Sequence, residues 1–333
     1  MTARPRIGIV CPTLNAEALL PGLLAGLQPA IDSGCKLLFV DSSSSDRTQE
    51  LIRAQGIGLL VVPRNEFNHG ETRELARQAL HCDIVVMITQ DVIFESNQVV
   101  QTLVQPIVQG LAVATYARQI PHRGAGFFEA FPRNYNYGTQ SLLKGQEDLE
   151  RLGSFVYFCS DSCAAWLNSA LDEIGGFPVT LTNEDAYAAA ALIGKGYRIA
   201  YVAEAVVRHS HRYSLRQEFE RYFDTGYARR VFGRALLMEQ KEERHGQKFV
   251  RAMCAQLWQE RPWMLPYGFF VVLSKWLGYK IGFHGARLPI WLRRALSGQK
   301  YYWTSRPFVS GREMQQLPPP RVTSSAPVAT PMD

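Results

Sequence analysis

Four short apolar runs with helical stretches between them leave the N-terminal part of this chain little choice of architecture. Arg6-Ile-Gly-Ile-Val-Cys11 and Lys36-Leu-Leu-Phe-Val40 read as strands buried in a parallel sheet. Between them Leu19, Leu20, Leu23, Leu24 and Leu27 recur at helical spacing over residues 16–31, so the chain opens on a β-α-β unit. Residues 48–54 continue as a helix, 58–62 as a strand, 72–80 as a helix and 83–89 as a strand. That alternation predicts an α/β fold wound around a mostly parallel central sheet.

A further strand is expected over residues 111–117. The stretch that follows, 118–138, is rich in Pro, Gly, Phe and Tyr and reads as irregular chain lying over a site. Residues 184–193 read as a helix and 197–207 as a strand ending in Arg208-His-Ser-His211. From Leu215 the pattern is helical, basic and aromatic, and from Leu317, with Pro318-Pro-Pro320, it is that of a disordered tail. The expected organisation is a sheet domain over 1–212, a helical region over 213–316 and a tail over 317–333.

Charge divides the chain in the same place. Of the 333 residues, those before Ala205 carry 15 Lys and Arg against 21 Asp and Glu, a net −6; those from Ala205 on carry 21 against 9, a net +12. A basic half suits nucleic acid or anionic lipid, but here the cations alternate with Trp, Phe and Leu, which favours a membrane surface over nucleic acid. Residues 265–283 are strongly apolar yet carry Lys275, Lys280 and an early Pro266, so an interfacial segment is expected, not a spanning helix. Trp258, Trp263, Trp276, Trp291 and Trp303 would sit at the headgroup level, and packing of these helices on the sheet domain or on a second subunit is the alternative. The six cysteines are scattered without a CxxC pair and read as buried thiols of a reducing compartment. The first apolar run is too short for a signal-peptide core, so the expected place is cytoplasmic, peripheral at the inner membrane.

In an open α/β sheet ligands bind past the carboxyl ends of the strands. Three acidic positions lie there: Asp41 after the second run, Asp91 after the fourth, and the Glu184-Asp185 pair opening a helix. Each alone could be a helix cap. In Asp41-Ser-Ser-Ser-Ser-Asp46-Arg-Thr48 the first aspartate could cap the next helix or accept the N–H of a pyrimidine base. Pro12-Thr-Leu-Asn15 stands where a dinucleotide-binding GxGxxG would be, and no GxxxxGK occurs. Dehydrogenase and P-loop chemistry are thereby disfavoured. A nucleoside diphosphate would need its charge met by other means, which Asp91 with Mg²⁺ or Mn²⁺ supplies.

Five segments in order, Pro12-Thr-Leu-Asn15, Val40-Asp-Ser-Ser-Ser-Ser-Asp-Arg-Thr48, Phe67-Asn-His-Gly-Glu-Thr-Arg73, Ile88-Thr-Gln-Asp91 and Asn183-Glu-Asp185 with His209-Ser-His211, resemble family 2 glycosyltransferases of the GT-A fold, most of all bacterial rhamnosyltransferases. The resemblance covers residues 6–211. It implies that Thr13, Asn15, Asp41 and Arg73 surround the nucleotide, and that Asp91, preceded by Gln90 where the family usually has a second carboxylate, holds the metal and diphosphate. It also implies that Asp185 is the base of an inverting transfer, and that His209 completes the metal shell. Histidines 209 and 211 alternate along a strand end and both could face one side. His69 is a weaker candidate, and Gly70 matters for close backbone approach. Asp161 in Cys159-Ser-Asp-Ser-Cys163 stands where Asn is expected.

The function this implies is transfer of L-rhamnose from dTDP-β-L-rhamnose to a hydroxyl of a lipid-linked or cell-surface glycan. Alternatives are a transferase of another nucleotide hexose, or a non-catalytic sugar-nucleotide or glycan-binding module. A sugar nucleotidyltransferase would carry a Gly-rich, Lys-containing loop after the first strand, which Pro12-Thr-Leu-Asn15 is not.

Overall fold

The structure, a computed structural model, describes residues 4–233 and 242–311. Its first half follows the expected alternation: β1 (Ile7–Thr13), α1 (Leu20–Asp32), β2 (Lys36–Asp41), α2 (Thr48–Ala54), β3 (Gly58–Val61), α3 (His69–Leu80) and β4 (Ile84–Ile88). These four strands pair in parallel in the order β3-β2-β1-β4. Ile84 to Ile88 are buried without exception, as a central strand covered on both faces requires. A two-residue β5 (Ile93–Phe94) and α4 (Val99–Val108) follow.

The sheet then becomes mixed. β6 (Ala114–Ile120), α5 (Phe127–Asn136), β7 (Leu142–Lys144), α6 (Leu149–Leu152), β8 (Cys163–Leu167), α7 (Asn168–Glu173), α8 (Glu184–Gly194) and β9 (Ile199–Arg208) complete it. β8 inserts antiparallel between β4 and β6, β9 runs parallel to β6, and β5 and β7 both pair antiparallel with β9. Chain reversal at β8 brings the segment before it, residues 159–162, to the same sheet end as the close of β4, where Thr89 N–H donates to the Ser162 carbonyl.

Two expected boundaries shift. The strand placed at 111–117 lies three residues later, and the stretch 118–138 is not irregular: it finishes β6 and then forms α5. Phe127 and Phe131, one helical turn apart, bury against Met253 and Leu257, and this packing outweighs the backbone bond that Pro132 removes.

The C-terminal helices are α9 (Leu215–Phe232), α10 (Glu242–Glu260), α11 (Leu265–Phe283), α12 (Ile290–Leu296) and α13 (Arg306–Val309). α9 and α11 lie against each other through glycines: a Cβ on Gly278 would fall 2.3 Å from the Phe219 carbonyl oxygen, and one on Gly282 2.0 Å from that of Phe223. Phe223, Tyr227 and Phe232 of α9 join Tyr302 and Trp303 in the hydrophobic cluster that covers one face of the sheet. Trp303, grouped by sequence with the interfacial tryptophans, is thus core. Trp258, Trp263, Trp276 and Trp291 are 71, 73, 54 and 70% exposed. No helix among the described residues is long and apolar enough to cross a membrane. The expected tail at 317–333 lies outside the described residues.

Candidate active site

The loop after β1 is fastened to the serine-rich turn after β2. Asn15, in the left-handed region at φ 50°, accepts the Ser45 N–H at 2.9 Å on its side chain and donates its own N–H to Ser44 Oγ at 2.8 Å. Ala16 N–H donates to Thr48 Oγ1 at 2.7 Å. Asp41 is fully buried, and its carboxylate accepts from Thr13 Oγ1, Ser44 N–H, Ser44 Oγ and Gln49 Nε2 at 2.5–3.1 Å. All its strong acceptor directions are occupied.

Gln90 grips the same loop from β4. Its Oε1 accepts the Leu14 N–H at 2.8 Å while its Nε2 donates to the Leu14 carbonyl at 3.1 Å. A carboxylate, which only accepts, could make the first bond and not the second. The residue that departs from the family pattern therefore ties β4 to the Pro12–Asn15 loop.

Asp91 lies just beyond Gln90 and faces the end of β9. Its Oδ2 is 3.4 Å from His209 Nε2 and 3.6 Å from His211 Nε2, and the three ligand atoms lie within 4.8 Å of one another. Burial lowers the His209 imidazole to about 3 despite the nearby Asp91 charge, and lowers His211 in the same way, so both rings are neutral at physiological pH. Burial opposes the Asp91 charge, but the attraction of the two imidazoles in their protonated form and the Thr89 hydroxyl outweigh it, and its carboxyl lies below the usual 3.8. One anionic oxygen and two neutral imidazoles form a metal-ligand set, and the nitrogens suit Mn²⁺ better than Mg²⁺. His211, left beside His209 by the sequence as an alternative, stands here as its equal.

Gln119 on β6 sets the ring of His209. Its Oε1 lies 3.0 Å from His209 Nδ1 and its Nε2 donates to Ser160 Oγ at 2.8 Å, so Nδ1 carries the proton and Nε2 turns its lone pair toward Asp91. Arg133 of α5 donates to the His209 carbonyl at 2.7 Å, and Glu129 accepts from Ser210 Oγ at 2.5 Å. Sequence reasoning gave Gln119 no role of its own, although Arg118-Gln-Ile-Pro121 is among the segments in which the chain resembles rhamnosyltransferases.

The Glu184-Asp185 pair divides at the start of α8. Glu184 points inward to the Arg73 guanidinium, whose Nε is 3.3 Å from Asp161 Oδ2. Arg73, expected around the nucleotide, is 4% exposed and enclosed between these carboxylates. Asp161 Oδ1 accepts the Trp166 indole N–H at 2.7 Å, and the Asp161 main-chain N–H donates to Asp185 Oδ2 at 3.1 Å. Asp185 itself stays partly exposed. Burial, reinforced by the Glu184 charge, raises its carboxyl to about 7, against the opposing pull of the Asp161 N–H and Arg73.

Segment 159–162 thus joins the two halves, Ser160 reaching Gln119 and Asp161 reaching Asp185. Lys144, fully buried on β7, supports its approach by donating to the carbonyls of Phe158 at 2.6 Å and Phe155 at 3.3 Å. Gly70 admits the neighbouring backbone, since a Cβ there would lie 1.9 Å from the Pro178 carbonyl oxygen. His69 is held neutral, its pKa pushed down to about 4 by burial, with its ring edge on Phe67.

The mixed sheet, with a carboxylate–histidine cluster and a second acidic cluster at the ends of its strands, is that of a GT-A glycosyltransferase. The chain belongs to Glycosyl transferase family 2, whose model matches residues 8–175. It is 36% identical to the O-antigen chain rhamnosyltransferase RfbN of Salmonella typhimurium, over 93% of this chain and 100% of the relative. It is also 36% identical to the O-antigen chain rhamnosyltransferase WbaN of Salmonella anatum, over 93% of this chain and 100% of the relative. Among solved structures the fold matches the mannosyltransferase PcManGT of Pyrobaculum calidifontis, in complex with GDP-Man and Mn²⁺, with TM-score 0.54, 17% identity, and coverage of 94% of this chain and 89% of that one.

Proposed function

We propose that this glycosyltransferase moves L-rhamnose from dTDP-β-L-rhamnose to a hydroxyl of a lipid-linked or cell-surface glycan, inverting the sugar's C1. The donor and the glycan acceptor rest on the two Salmonella relatives. The chemistry rests on the separation of two acidic groups: Asp91 lies 3.4 and 3.6 Å from His209 and His211, while Asp185 stands apart at the start of α8 against the Asp161 N–H, where burial and the Glu184 charge move its carboxyl up to about 7. The first suits a permanent anion and the second a base that works at neutral pH.

In this reading Asp185 takes the proton of the acceptor hydroxyl as its oxygen bonds to C1. The C1–O bond to the diphosphate breaks, and the leaving oxygen keeps the electron pair. A divalent ion, when bound by Asp91, His209 and His211, offsets the charge of the diphosphate. Thr13, Asn15 and Gln90 shape the nucleotide pocket, with Asp41 meeting a thymine N–H in place of Gln49. Arg73 serves the base cluster. Exposed Trp258, Trp263, Trp276 and Trp291, with Phe269 and Phe270 and the nearby cations Lys280, Arg287 and Arg294, support seating at the cytoplasmic face of the inner membrane.

The test is transfer from a panel of nucleotide sugars with and without Mn²⁺. dTDP-rhamnose should be preferred, EDTA should stop the reaction, and Asp185→Asn should cost about 10²-fold or more in turnover. Preference for another donor, full activity in EDTA, or near-normal turnover of the variant would each refute its own part.

A further inference from the structure

Asp161 touches neither the metal ligands nor the open face of Asp185, yet it is 1% exposed and each polar part of it is aimed at something. Its main-chain N–H is on Asp185, one carboxylate oxygen is on the Trp166 indole, and the other faces Arg73 Nε at 3.3 Å without the alignment of a hydrogen bond. Among the described residues Arg73 is the single cation of this cluster, against Asp161, Glu184 and Asp185. With all three ionised the cluster would carry a net charge of −2 in a buried place, which is costly unless a proton is retained.

Granting the reading of Asp185 as the base, we propose that Asp161 is a positioning residue that sets the basicity of Asp185. It holds one Asp185 oxygen by its N–H, and its carboxyl competes with Asp185 for the proton that the cluster retains. Glu184, in direct contact with Arg73, also raises Asp185 by its charge but makes no hydrogen bond to it, while the facing groups Cys159 and Tyr137 are driven by burial to stay neutral. Burial likewise moves the Asp161 carboxyl well above its ordinary range, against the pull of Arg73, as expected of a group that shares a proton with its neighbour. An Asn here would keep the N–H to Asp185 and remove one negative charge. The Asp in this chain therefore makes a stronger base that loses activity sooner as the medium is acidified.

The experiment is the pH profile of kcat/KM for the full-length enzyme with saturating Mn²⁺. Asp161→Asn should move the acid limb down by about one pH unit or more while Mn²⁺ affinity stays as in the wild type. Trp166→Phe, which leaves the carboxyl in place and removes its indole donor, favours protonation of Asp161 and should move the limb the same way by less. Thermal melting identifies folded variants, and Trp166→Phe carries the test if Asp161→Asn does not fold. An unmoved acid limb in a folded variant, or one displaced upward, overturns the proposal. Substantial activity of Asp185→Asn would instead remove the base reading on which it rests.

Discussion

Asp185→Asn should yield an inactive enzyme that is more stable than the wild type in mildly alkaline solution and no more stable in acid. In the folded protein, burial and the Glu184 charge raise the Asp185 carboxyl from the usual 3.8 to about 7. Between those values the folded chain holds a proton that the unfolded chain has released, so stability falls as pH climbs through this interval and is level above it. A shift of roughly 3 pKa units corresponds to a ceiling of about 4 kcal/mol. Because Asp161 shares the proton, roughly half of that, about 2 kcal/mol, is assigned to Asp185. Asn keeps the bond from Ala186 N–H to its Oδ1 but turns its NH₂ toward the Asp161 N–H, a loss of about 1 kcal/mol. The net gain at pH 8 is about 1 kcal/mol, or about 2 °C in Tm for a chain of this size. At pH 5 only about a third of the ionisation cost has accrued, and the lost hydrogen bond cancels it. Calorimetric melts of both proteins at pH 5 and pH 8 measure the difference. A Tm offset of the same sign and size at both values would refute the reasoning, since a packing effect carries no such pH dependence.

Two further predictions concern other parts of the molecule. Gln119→Leu removes the acceptor that fixes the His209 ring and should weaken Mn²⁺ binding by about 10- to 100-fold in a direct titration with Asp91 intact; unchanged affinity would mean that His209 needs no such support or is not a ligand. The full-length protein should sediment with anionic vesicles at low salt, and Trp263→Ser with Trp291→Ser should weaken this about tenfold or more; a chain that ignores such vesicles would assign the exposed aromatic face to packing on another protein surface.

What the sequence revealed and what it hid follow from the range of the interactions involved. The first seven elements were legible because each depends on local periodicity, and the residues just past β1, β2 and β4 could be nominated because a parallel sheet places its strand ends together. α5 was hidden because its helical stripe, Phe127 and Phe131, sits among Pro and Gly residues and is stabilised by helices more than a hundred residues later. Trp303 looked like the exposed tryptophans because composition cannot separate an aromatic that returns to the core from one that stays outside.

The site shows the same division. Asp91, Asp185 and the two histidines were nominated by residue type and position, but what makes Asp185 differ from Asp91 lies in pairings far apart in sequence: Arg73 with Glu184, Asp161 with Asp185, Gln119 with His209. Arg73 is a case where the sequence could not show the partners of the side chain. Its side chain lies between two buried carboxylates, Asp161 and Glu184, that need a cation, and both come far later in the chain. On the proposed reading the charge of the leaving group is met at Asp91 and the histidines, while the base is set by Asp161, Glu184 and Arg73, two clusters connected through the short segment 159–162. A substitution at Asp161 should therefore be able to alter the pH dependence of turnover without altering metal affinity, a separation that a single shared cluster of charges would not permit.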